Sequence, residues 1–446
     1  MNGTPGPEDV YTRLSRIAEL AREDPKRALT TLAHHIDIEF LREAYRRTRK
    51  DGAAGVDGQT AEEYEKNLEG NLRSLLERLK SGTYRAPPVR RVYIPKGDGK
   101  KTRPIGIPTL EDKVLQRAVT MVLEAIYEGE FYSFSYGFRP RRSAHQALQY
   151  LWKELMDMQG GWVLEVDIKS FFDTLDHGHL RTFLDQRVRD GVLRRMIDKW
   201  LKAGVLEDGE LSFPEAGSPQ GGVISPMLAN IYLHEVLDRW FEETIKPLLR
   251  GKAFAVRFAD DFVIAFALEC DARRIYEVLP KRFGRFGLTL HPEKTRLVRF
   301  YRPERGSTGK GCDHRGGTPG SFDLLGFTHS WQRSRRGNWV VKRKTAPSRF
   351  RRALKRVAEW CRLNRHMPVE EQRKQLGMKL RGHCEYYGIT GNSTALSRFS
   401  HELRRVWRGW LNRRSQRARM SWAKFEKLLQ RYPLPSPKCV HSELVT

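Results

Sequence analysis

The spacing of apolar residues predicts helices over much of the chain. Leu14, Ile17 and Leu20 recur at roughly helical intervals within residues 8–50. The same kind of pattern predicts further helices at 60–80, 110–128, 143–158, 177–203 and 271–286. After residue 345, the apolar residues Phe350, Leu354, Val357 and Cys361 form an i, i+4, i+7, i+11 stripe. We therefore expect two or three helices in the C-terminal region.

Short apolar runs between these segments predict strands. Residues 162–168, WVLEVDI, suit a buried strand, and residues 295–300 predict another. Residues 253–266, AFAVRFADDFVIAF, place two apolar arms around an acidic pair, which predicts a β-hairpin. The chain from Pro87 to Pro108 is expected to be extended on both sides of a Pro-Lys-Gly-Asp-Gly turn. Helices and strands together indicate a mixed fold.

Particular residue types predict the start of one helix and the position of one long loop. Serine caps helices and proline suits the first helical position, so Ser225 and Pro226 predict a helix that runs to about residue 245. Residues 302–320 are rich in glycine and arginine and are expected to form a loop. With 446 residues, the chain is long enough for about two to four domains.

Positive charge is concentrated in one part of the chain. The net charge is +27, and residues 331–446 hold 29 Lys and Arg against seven Asp and Glu. This excess favours a polyanionic partner, because basic side chains bind phosphate backbones by releasing counterions. A merely solvated basic surface is the alternative on charge alone.

The cysteines do not indicate a disulfide framework or a zinc site. Five cysteines are scattered without a CxxC pair, and the triplet Cys312-Asp313-His314 is more typical of a loop than of a metal site. The N-terminus has no apolar leader segment, and no apolar run approaches the length of a membrane span. We therefore expect a cytoplasmic protein.

Three acids are the candidates for metal chemistry. Asp260 and Asp261 lie at the tip of the predicted hairpin, and Asp167 ends the predicted strand at 162–168. Acidic pairs are common in turns, and a lone aspartate at a strand end is often a helix cap. Here, however, apolar arms reach up to the charged pair, and adjacent carboxylates repel each other unless cations neutralise them. Two Mg²⁺ ions held about 4 Å apart would suit in-line phosphoryl transfer.

Cationic and glycine-rich segments could bind a triphosphate. Lys96 and Arg103 flank the turn in PKGDGKKTRPIGIP, where glycines admit phosphate and arginine can bind it bidentately. A solvated hairpin tip is the alternative. Residues 217–222, GSPQGG, precede the Ser225 helix and could pack against a nucleotide or form an ordinary flexible loop.

The order of these motifs resembles that of reverse transcriptases. Asp167 with FFD, then SPQGG, FADD, LTLHPEKT and LLGF resemble the successive blocks of that family. The upstream segments DGAAGVDG, YIPKGDGKKTRPIGIPT and SYGFRPRRSAHQA resemble group II intron reverse transcriptase/maturases in particular. The resemblance covers roughly residues 35–430. In place of the family's usual Tyr-Ala-Asp-Asp, this chain has Phe258, which keeps the ring and loses a hydroxyl.

The resemblance implies a set of site residues. Asp167, Asp260 and Asp261 would be the catalytic metal ligands, and Ile168 is included in the metal-binding set. The implied cofactor is a pair of Mg²⁺ ions, for which Mn²⁺ could substitute. The residues implied to contact the nucleotide are Lys96, Arg103, Phe172 as the steric gate against a ribose 2′-hydroxyl, Gln220, and Lys294 assisting pyrophosphate departure. Phe172 could also serve core packing, and Lys294 could be a plain surface lysine.

The resemblance also implies nucleic-acid contacts. Arg139, Arg141 and Arg142 would follow the template phosphates, and Leu325 with Gly326 would support the primer strand. In the basic C-terminal region, the arginines expected to bind RNA are Arg404, Arg405, Arg408, Arg413, Arg414, Arg417 and Arg419. Trp407, Trp410 and Trp422 could stack on bases or belong to a helical core.

The expected architecture is α+β, a right-hand polymerase with fingers, an antiparallel palm sheet flanked by helices, and a helical thumb. The expected boundaries are 1–85 for an N-terminal helical extension and the start of the fingers, 86–160 for the fingers, 161–335 for the palm, 336–432 for the thumb/maturase region and 433–446 for a tail. No cysteine-paired endonuclease segment is recognised in this sequence.

The resemblance implies an RNA-directed DNA polymerase acting on an RNA template, a DNA or RNA primer and deoxynucleoside triphosphates, together with assistance to group II intron splicing and mobility. Two alternatives are a reverse transcriptase that serves defence or another non-intron role, and an RNA-binding splicing factor without polymerase activity. The three acids argue against the second alternative. The sequence leaves the oligomeric state open.

Overall fold

The computed structural model describes residues 7–96, 101–207, 209–213, 217, 221–303, 320–415 and 419–441; at Pro7, Glu8, Lys96 and Lys101 only the backbone is described. The chain forms two compact units. Unit 1 comprises Met1–Tyr150, Val166–Ile264 and Cys270–Arg296, and unit 2 comprises Leu151–Glu165, Ala265–Glu269 and Leu297–Thr446, each within the described residues.

Fifteen α-helices are found in the described part of the chain. They are α1 Pro7–Glu23, α2 Ile38–Arg47, α3 Ala61–Glu65, α4 Leu68–Ser81, α5 Leu110–Tyr127, α6 Ala144–Asp157, α7 Phe171–Thr174, α8 His177–Asp185, α9 Gly191–Leu201, α10 Ser225–Leu233, α11 Glu269–Gly284, α12 Pro347–Leu363, α13 Val369–Tyr387, α14 Ser393–Leu411 and α15 Trp422–Arg431. Short 3₁₀ turns occur at Ala33–His35 and Lys246–Leu248. The helices expected at 110–128, 143–158 and 271–286 are confirmed within two residues at each end.

Eleven strands accompany them among the described residues. They are β1 Val89–Lys96, β2 Lys101–Ile107, β3 Gly160–Asp167, β4 Val205–Glu207, β5 Glu210–Ser212, β6 Ala253–Phe258, β7 Asp261–Phe266, β8 Arg296–Tyr301, β9 Phe322–Leu324, β10 Phe327–Arg333 and β11 Trp339–Thr345. They form sheets with the orders β2-β1-β4-β5, β6-β7-β3-β8 and β11-β10-β9. The α+β class is confirmed.

The two hairpins expected from sequence are present. Strands β1 and β2 pair antiparallel with Lys96 opposite Lys101, and β6 and β7 flank the acidic pair. Nearly every residue of these last two strands is buried, up to the turn. A strand buried on both faces loses the alternation of an edge strand and reads as a continuous apolar run. That is why sequence identified this hairpin.

The helix expected at 177–203 is interrupted. It is divided into α8 and α9, and Asp190 caps α9 by accepting hydrogen bonds from the backbone N–H groups of Val192 and Leu193, at 2.8 and 3.0 Å. Its second carboxylate oxygen accepts from the N–H groups of Leu32 and Ala33, at 2.6 and 2.9 Å. One buried carboxylate thus joins the start of α9 to the segment before α2.

Asp190 is expected to make stability depend on pH. Burial by itself would raise the pKa of this carboxyl, but the four N–H donors outweigh it and hold the pKa below its usual value. Asp190→Ala should therefore lower the free energy of unfolding by about 2 kcal/mol at neutral pH. Because the folded pKa is depressed, the contribution is complete above the unfolded pKa of about 3.9 and disappears as the pH falls through the folded pKa.

Urea unfolding of both proteins between pH 7 and pH 3 measures this difference. The matched control is Asp185→Ala, since the Asp185 side chain is 51% exposed and pairs with Arg194 rather than with backbone N–H groups. A wild-type advantage over Asp190→Ala that stays constant down to pH 3, or a control equally destabilised, would contradict the assignment.

The helix that begins at Ser225 differs from expectation in two ways. Ser225 is the first helical residue rather than the cap; Ile224 precedes it and no side chain caps the helix. The helix continues toward residue 245 as expected, but residues His234–Asp238 and Trp240–Ile245 form π-helical turns. These wide turns carry the buried polar residues His234 and Asp238.

The three-stranded sheet β9-β10-β11 was not expected from sequence. Core-facing positions on β10 and β11 include His329 and Arg343, which are buried and lie opposite each other. Polar residues at inward positions break the apolar alternation that normally reveals a strand. The short strands β4 and β5 were missed too, because three-residue strands carry too little pattern.

Helices α12–α15 pack around one apolar cluster in unit 2. Val357 and Cys361 of the expected stripe are buried in it, and Phe350 and Leu354 pack against it. Trp407 lies fully inside and donates its indole N–H to Gln372 Oε1 at 2.9 Å. The helical C-terminal region and its stripe are confirmed, but its described residues form four helices rather than the two or three expected. Trp407 serves the core rather than base stacking.

Candidate active site

The acidic pair lies at the turn between β6 and β7. Ala259 adopts the left-handed conformation with φ of 58°, which reverses the chain directly before the acids. The Asp260 side chain is half-buried and Asp261 is exposed. The apolar arms therefore hold two carboxylates at the edge of a rigid core.

Asp167 is brought to this turn by strand register. Gly161 on β3 leaves no room for a Cβ, because one would collide with the carbonyl oxygen of Phe266 on β7. Adjacent antiparallel strands advance in opposite directions by equal steps. Six residues beyond Gly161 is Asp167, and six residues before Phe266 is Asp260. The pairing thus places these two acids at the same end of the strand pair.

The charges around Asp260 agree with this placement. Burial raises the pKa of the Asp260 carboxyl, and the nearby negative charge of Asp167 raises it further. The positive charges of Arg103 and Arg257 act in the opposite direction. Arg103 lies exposed on β2. Asp167, Asp260 and Arg103 therefore share one electrostatic environment, although they are far apart in sequence.

Lys294 contacts the site directly. Its Nζ lies 2.9 Å from Oδ2 of Asp167, and both side chains are substantially exposed. The chain near Lys294 is held beside the end of β3, because the His291 N–H donates to the Asp167 carbonyl and the Lys169 N–H donates to the Thr289 carbonyl, both at 2.8 Å. An ammonium group beside a carboxylate offsets part of the local negative charge.

Two glycines of the 217–222 segment pack tightly against backbone. A Cβ on Gly221 would collide with the Gly106 carbonyl oxygen, and one on Gly217 would lie 2.8 Å from the Phe172 carbonyl oxygen. Both glycines have positive φ, 121° and 92°. The segment is therefore fixed against β2 and α7 at these two points. Gln220 and the side chain of Lys96 lie outside the described residues.

Phe172 follows the end of β3 on the short helix α7. Its side chain is half-buried, and its ring meets the buried ring of Phe171 edge-on at a centroid distance of 5.4 Å. Phe258 stands where reverse transcriptases usually have a tyrosine. It is half-buried, and its ring centroid lies 6.5 Å from that of Phe138. The exposed part of Phe172 is available to a ligand, while Phe171 anchors it.

The acidic turn offers carboxylate donors of the kind that bind divalent cations. Over the described residues, no group of three or more His, Cys, Asp and Glu side chains is close enough to bind a metal ion without rearrangement. The donors at the turn are nevertheless carboxylates, the ligands that Mg²⁺ prefers, and Asp167 and Asp260 repel each other. The cation in contact with Asp167 here is the Lys294 ammonium.

Arg139 does not have the predicted role. Its buried guanidinium donates to the Glu128 carboxylate at 2.8 Å and to the carbonyls of Tyr132 and Ser135 at 2.7 Å. Donors satisfied inside the protein are not presented to phosphate, so Arg139 is structural. Arg141 and Arg142 are exposed.

Of the arginines expected to bind RNA in unit 2, some are exposed and others are bonded within the protein. Arg405 and Arg413 are exposed, and Arg404 is half-buried. Arg408 lies 4.2 Å above the Trp422 ring and donates to the Met420 carbonyl. Arg414 is half-buried and donates to the carbonyls of Arg365 and Met367, so part of its guanidinium is engaged within unit 2; its contact with phosphate stays a prediction. Arg417 lies outside the described residues.

Leu325 and Gly326 form the turn between β9 and β10, both with positive φ. The Tyr386 hydroxyl donates to the Leu325 carbonyl at 2.8 Å. This turn is therefore held by α13 of the same unit. Its contact with a primer strand stays a prediction.

Sequence reasoning missed a buried polar group behind the acidic turn. Arg257, on β6, is fully buried with Asp238 of the π-helical segment and Asn230 of α10. The only signal in the sequence is a single arginine inside the apolar run AFAVRF. A charge within a buried strand requires a partner.

Two further expectations concern the whole chain. In the described residues, Cys270, Cys361, Cys384 and Cys439 are free thiols, and the Cys312 triplet lies outside them. No helix within the described ranges combines the length and apolar character needed to cross a membrane.

Comparison with known families gives two matches. The model described as "Reverse transcriptase (RNA-dependent DNA polymerase)" matches residues 94–329. The model described as "Group II intron, maturase-specific domain" matches residues 350–428.

Individual relatives agree with these matches. Protein YkfC of Escherichia coli is 36% identical over 324 residues, covering 63% of this chain and 83% of that protein. Group II intron-encoded protein LtrA of Lactococcus lactis is 40% identical over 232 residues, covering 51% of this chain and 38% of LtrA. Nuclear intron maturase 2, mitochondrial, of Arabidopsis thaliana is 31% identical over 178 residues, covering 31% of this chain and 24% of that protein.

Proposed function

Because the chain belongs to the reverse transcriptase (RNA-dependent DNA polymerase) family and contains a group II intron maturase-specific domain, we propose that Asp167, Asp260 and Asp261 are its catalytic acids. The reaction is template-directed addition of deoxynucleotides to a DNA or RNA 3′-end, with release of pyrophosphate. The observation that supports this assignment is the proximity of Asp167, at the end of β3, to Asp260 at the β6–β7 turn, where the charge of Asp167 raises the pKa of the Asp260 carboxyl.

Members of this family use divalent metal ions, and we propose two Mg²⁺ ions here, with Mn²⁺ as a substitute. When bound, such ions lower the pKa of the attacking 3′-hydroxyl and stabilise the leaving pyrophosphate. The three carboxylates and the backbone carbonyl of Ile168 would hold them, since all four donors are hard oxygen ligands. Ile168 is fixed in a bridge to Leu290, so its carbonyl has a defined position.

Cationic side chains would position the triphosphate. The positive charge of Arg103 already acts on Asp260 and lowers the pKa of its carboxyl. A guanidinium can hold phosphate oxygens bidentately. Lys294, now paired with Asp167, would move its ammonium toward the leaving pyrophosphate once the acids bind cations. Lys96 and Gln220 remain proposed nucleotide contacts on the family likeness alone, and Phe172 would exclude a ribose 2′-hydroxyl.

RNA is the proposed template, and intron RNA the proposed partner of the maturase-specific region. The arginines proposed to contact phosphate are Arg141 and Arg142 in unit 1, and Arg404, Arg405, Arg408, Arg413 and Arg414 in unit 2. The boundaries proposed for fingers, palm, thumb and tail remain those inferred from sequence, as does the cytoplasmic location. Assistance to splicing and mobility of a group II intron follows from the maturase-specific domain.

Primer extension on poly(rA)/oligo(dT) with Mg²⁺ tests the enzymatic proposal. Incorporation of dTTP by purified wild-type protein is expected. An inactive wild-type protein that still promotes intron splicing would instead support an RNA-binding splicing factor. Splicing of an intron ribozyme encoded around the gene, with and without the protein, separates an intron role from another role of the polymerase.

RNA binding is expected to weaken steeply with salt. Residues 331–446 carry 29 Lys and Arg, and a protein that makes about six or more phosphate contacts loses roughly 1,000-fold in affinity between about 50 and 200 mM salt. Replacing Arg405 or Arg413 by glutamine should each reduce the slope of log K against log salt by about one. Filter binding or fluorescence anisotropy over a salt series measures the slope.

The matched control is Arg49→Gln in unit 1. Its side chain is 82% exposed and lies outside the basic region. We expect this variant to keep the wild-type slope. A flat salt response of the wild type, or an equal change in the control, would contradict the basic region as the RNA-binding surface.

A further inference from the structure

A buried hydrogen-bond group lies directly behind the catalytic turn. Arg257 is completely buried and makes a bidentate ion pair with Asp238, Nε to Oδ1 at 2.8 Å and an Nη to Oδ2 at 2.5 Å. Its other Nη donates to Asn230 Oδ1 at 3.0 Å and to the carbonyl oxygen of Ala259 at 3.1 Å. One guanidinium thus connects the π-helical segment, α10 and the turn.

The last of these bonds acts on the catalytic backbone. The Ala259 carbonyl belongs to the peptide that joins Ala259 to Asp260, so a donor bound to it fixes that peptide plane. Ala259 has a φ of 58°, a conformation that a residue with a Cβ rarely adopts without support from its surroundings. The direction in which Asp260 leaves the strand depends on this plane.

The other side of the turn is fixed by the segment at 134–137. A Cβ on Gly137 would collide with the backbone nitrogen of Ala259, so only glycine fits there. Asn230 donates its Nδ2 to the Gly137 carbonyl at 2.7 Å. The same asparagine therefore binds both Arg257 and Gly137. These two residues contact the turn on different sides and together fix its position.

Burying an arginine in a strand costs desolvation free energy, whereas an apolar residue of similar size packs there without desolvating a charge. Four acceptor atoms from three residues surround this one guanidinium, which indicates a geometric role. Arginine presents several donors in a rigid plane, whereas the single ammonium of lysine cannot satisfy Asp238, Asn230 and Ala259 together.

We propose that Arg257, oriented by Asp238 and Asn230, is a positioning residue that sets the Ala259–Asp260 peptide and thereby the direction of the catalytic carboxylates. The inference rests on the proposed function of Asp260 and Asp261. Arg257 does not touch the substrate; it acts through the backbone of the turn. Misplacement of catalytic groups by about 1 Å can reduce a rate roughly 100-fold.

Arg257→Lys is expected to lower kcat by about 10- to 100-fold while the KM for dTTP changes less than about threefold. Binding of Mn²⁺ to the protein without nucleic acid, measured by electron paramagnetic resonance, should weaken in parallel, because displaced carboxylates bind a cation poorly. Adding Ala259→Gly to Arg257→Lys should restore part of kcat, since glycine adopts the left-handed conformation without a supporting donor.

The matched control is Arg282→Lys. Arg282 donates to the carbonyls of Val236 and Glu235 on the same π-helical segment, at 3.0 and 3.1 Å, and does not reach the turn. This variant should keep kcat and Mn²⁺ affinity near wild type even if its thermal stability falls. If Arg257→Lys fails to fold, Asn230→Ala, which keeps the ion pair, should show the same pattern with a smaller loss.

Equal kcat and Mn²⁺ affinity in Arg257→Lys and wild type, or losses matched by Arg282→Lys, would overturn the inference. An absence of rescue by Ala259→Gly would show that Arg257 does not act through the turn. An inactive wild type would instead reject the proposed function. In that case the Mn²⁺ measurements still decide whether Arg257 orients the carboxylates.

Discussion

Asp260→Asn is expected to reduce primer extension by at least about 1,000-fold, because losing one metal-binding carboxylate removes several kcal/mol of transition-state stabilisation. The substitution keeps the shape of the side chain and removes its charge. Burial and the charge of Asp167 both raise the pKa of this carboxyl. Its charged form is therefore disfavoured, and a bound cation would stabilise it. RNA affinity should change little, since Asp260 lies far in sequence from the basic region at 331–446.

Single-turnover extension with saturating Mg²⁺ and RNA filter binding measure the two effects. Asp157→Asn is the matched control, because Asp157 is an exposed aspartate at the end of α6. It should retain wild-type activity. Substantial extension by purified Asp260→Asn would refute the catalytic assignment, and a large loss of RNA affinity would show that the substitution disturbed the fold.

Phe172→Ala is expected to weaken the preference for deoxynucleotides by about 100-fold, the discrimination that a pocket can achieve against one added hydroxyl. The side chain is half-buried, and its backbone carbonyl lies against Gly217. The backbone of Phe172 is therefore held against Gly217, and its ring meets the ring of Phe171 edge-on. Removing the Phe172 ring should open space for a ribose 2′-hydroxyl without removing a metal ligand.

The ratio of kcat/KM for dTTP and UTP on the same primed template measures this preference. Phe183→Leu is the control, because Phe183 packs against Tyr232 and Phe286 in the neighbouring aromatic cluster. We expect the control to lose stability and keep its nucleotide preference. Unchanged selectivity in an active Phe172→Ala enzyme would remove Phe172 from the nucleotide site.

The local part of the site was accessible from sequence. The hairpin was predicted because its arms are continuously apolar up to Asp260 and Asp261, and the strand ending at Asp167 carries the same signal. The stripe on α12 was predicted because its helix buries one face. Each signal lies within a window of about 15 residues, the range over which periodicity is informative.

The roles of the arginines could not be predicted from sequence windows of this length. Arg139, Arg141 and Arg142 are equivalent in the sequence, yet Arg139 is buried with its donors satisfied while the other two are exposed. Arg257 looked like an interruption of an apolar strand and is the centre of a buried network. A guanidinium binds phosphate or stabilises a core according to which acceptors surround it, and those come from distant segments.

The sequence by itself determined the α+β class, the positions of most helices, and the acids flanked by apolar strands, because these depend on periodicity and on neighbours in the chain. Only the tertiary structure decided that Lys294 contacts Asp167 across 127 residues, that Gly137 and Arg257 fix the acidic turn, and which arginines remain exposed. The physical reason is that hydrogen bonds, ion pairs and close backbone approaches depend on distances in space, and the order of residues specifies those distances only once the chain has folded.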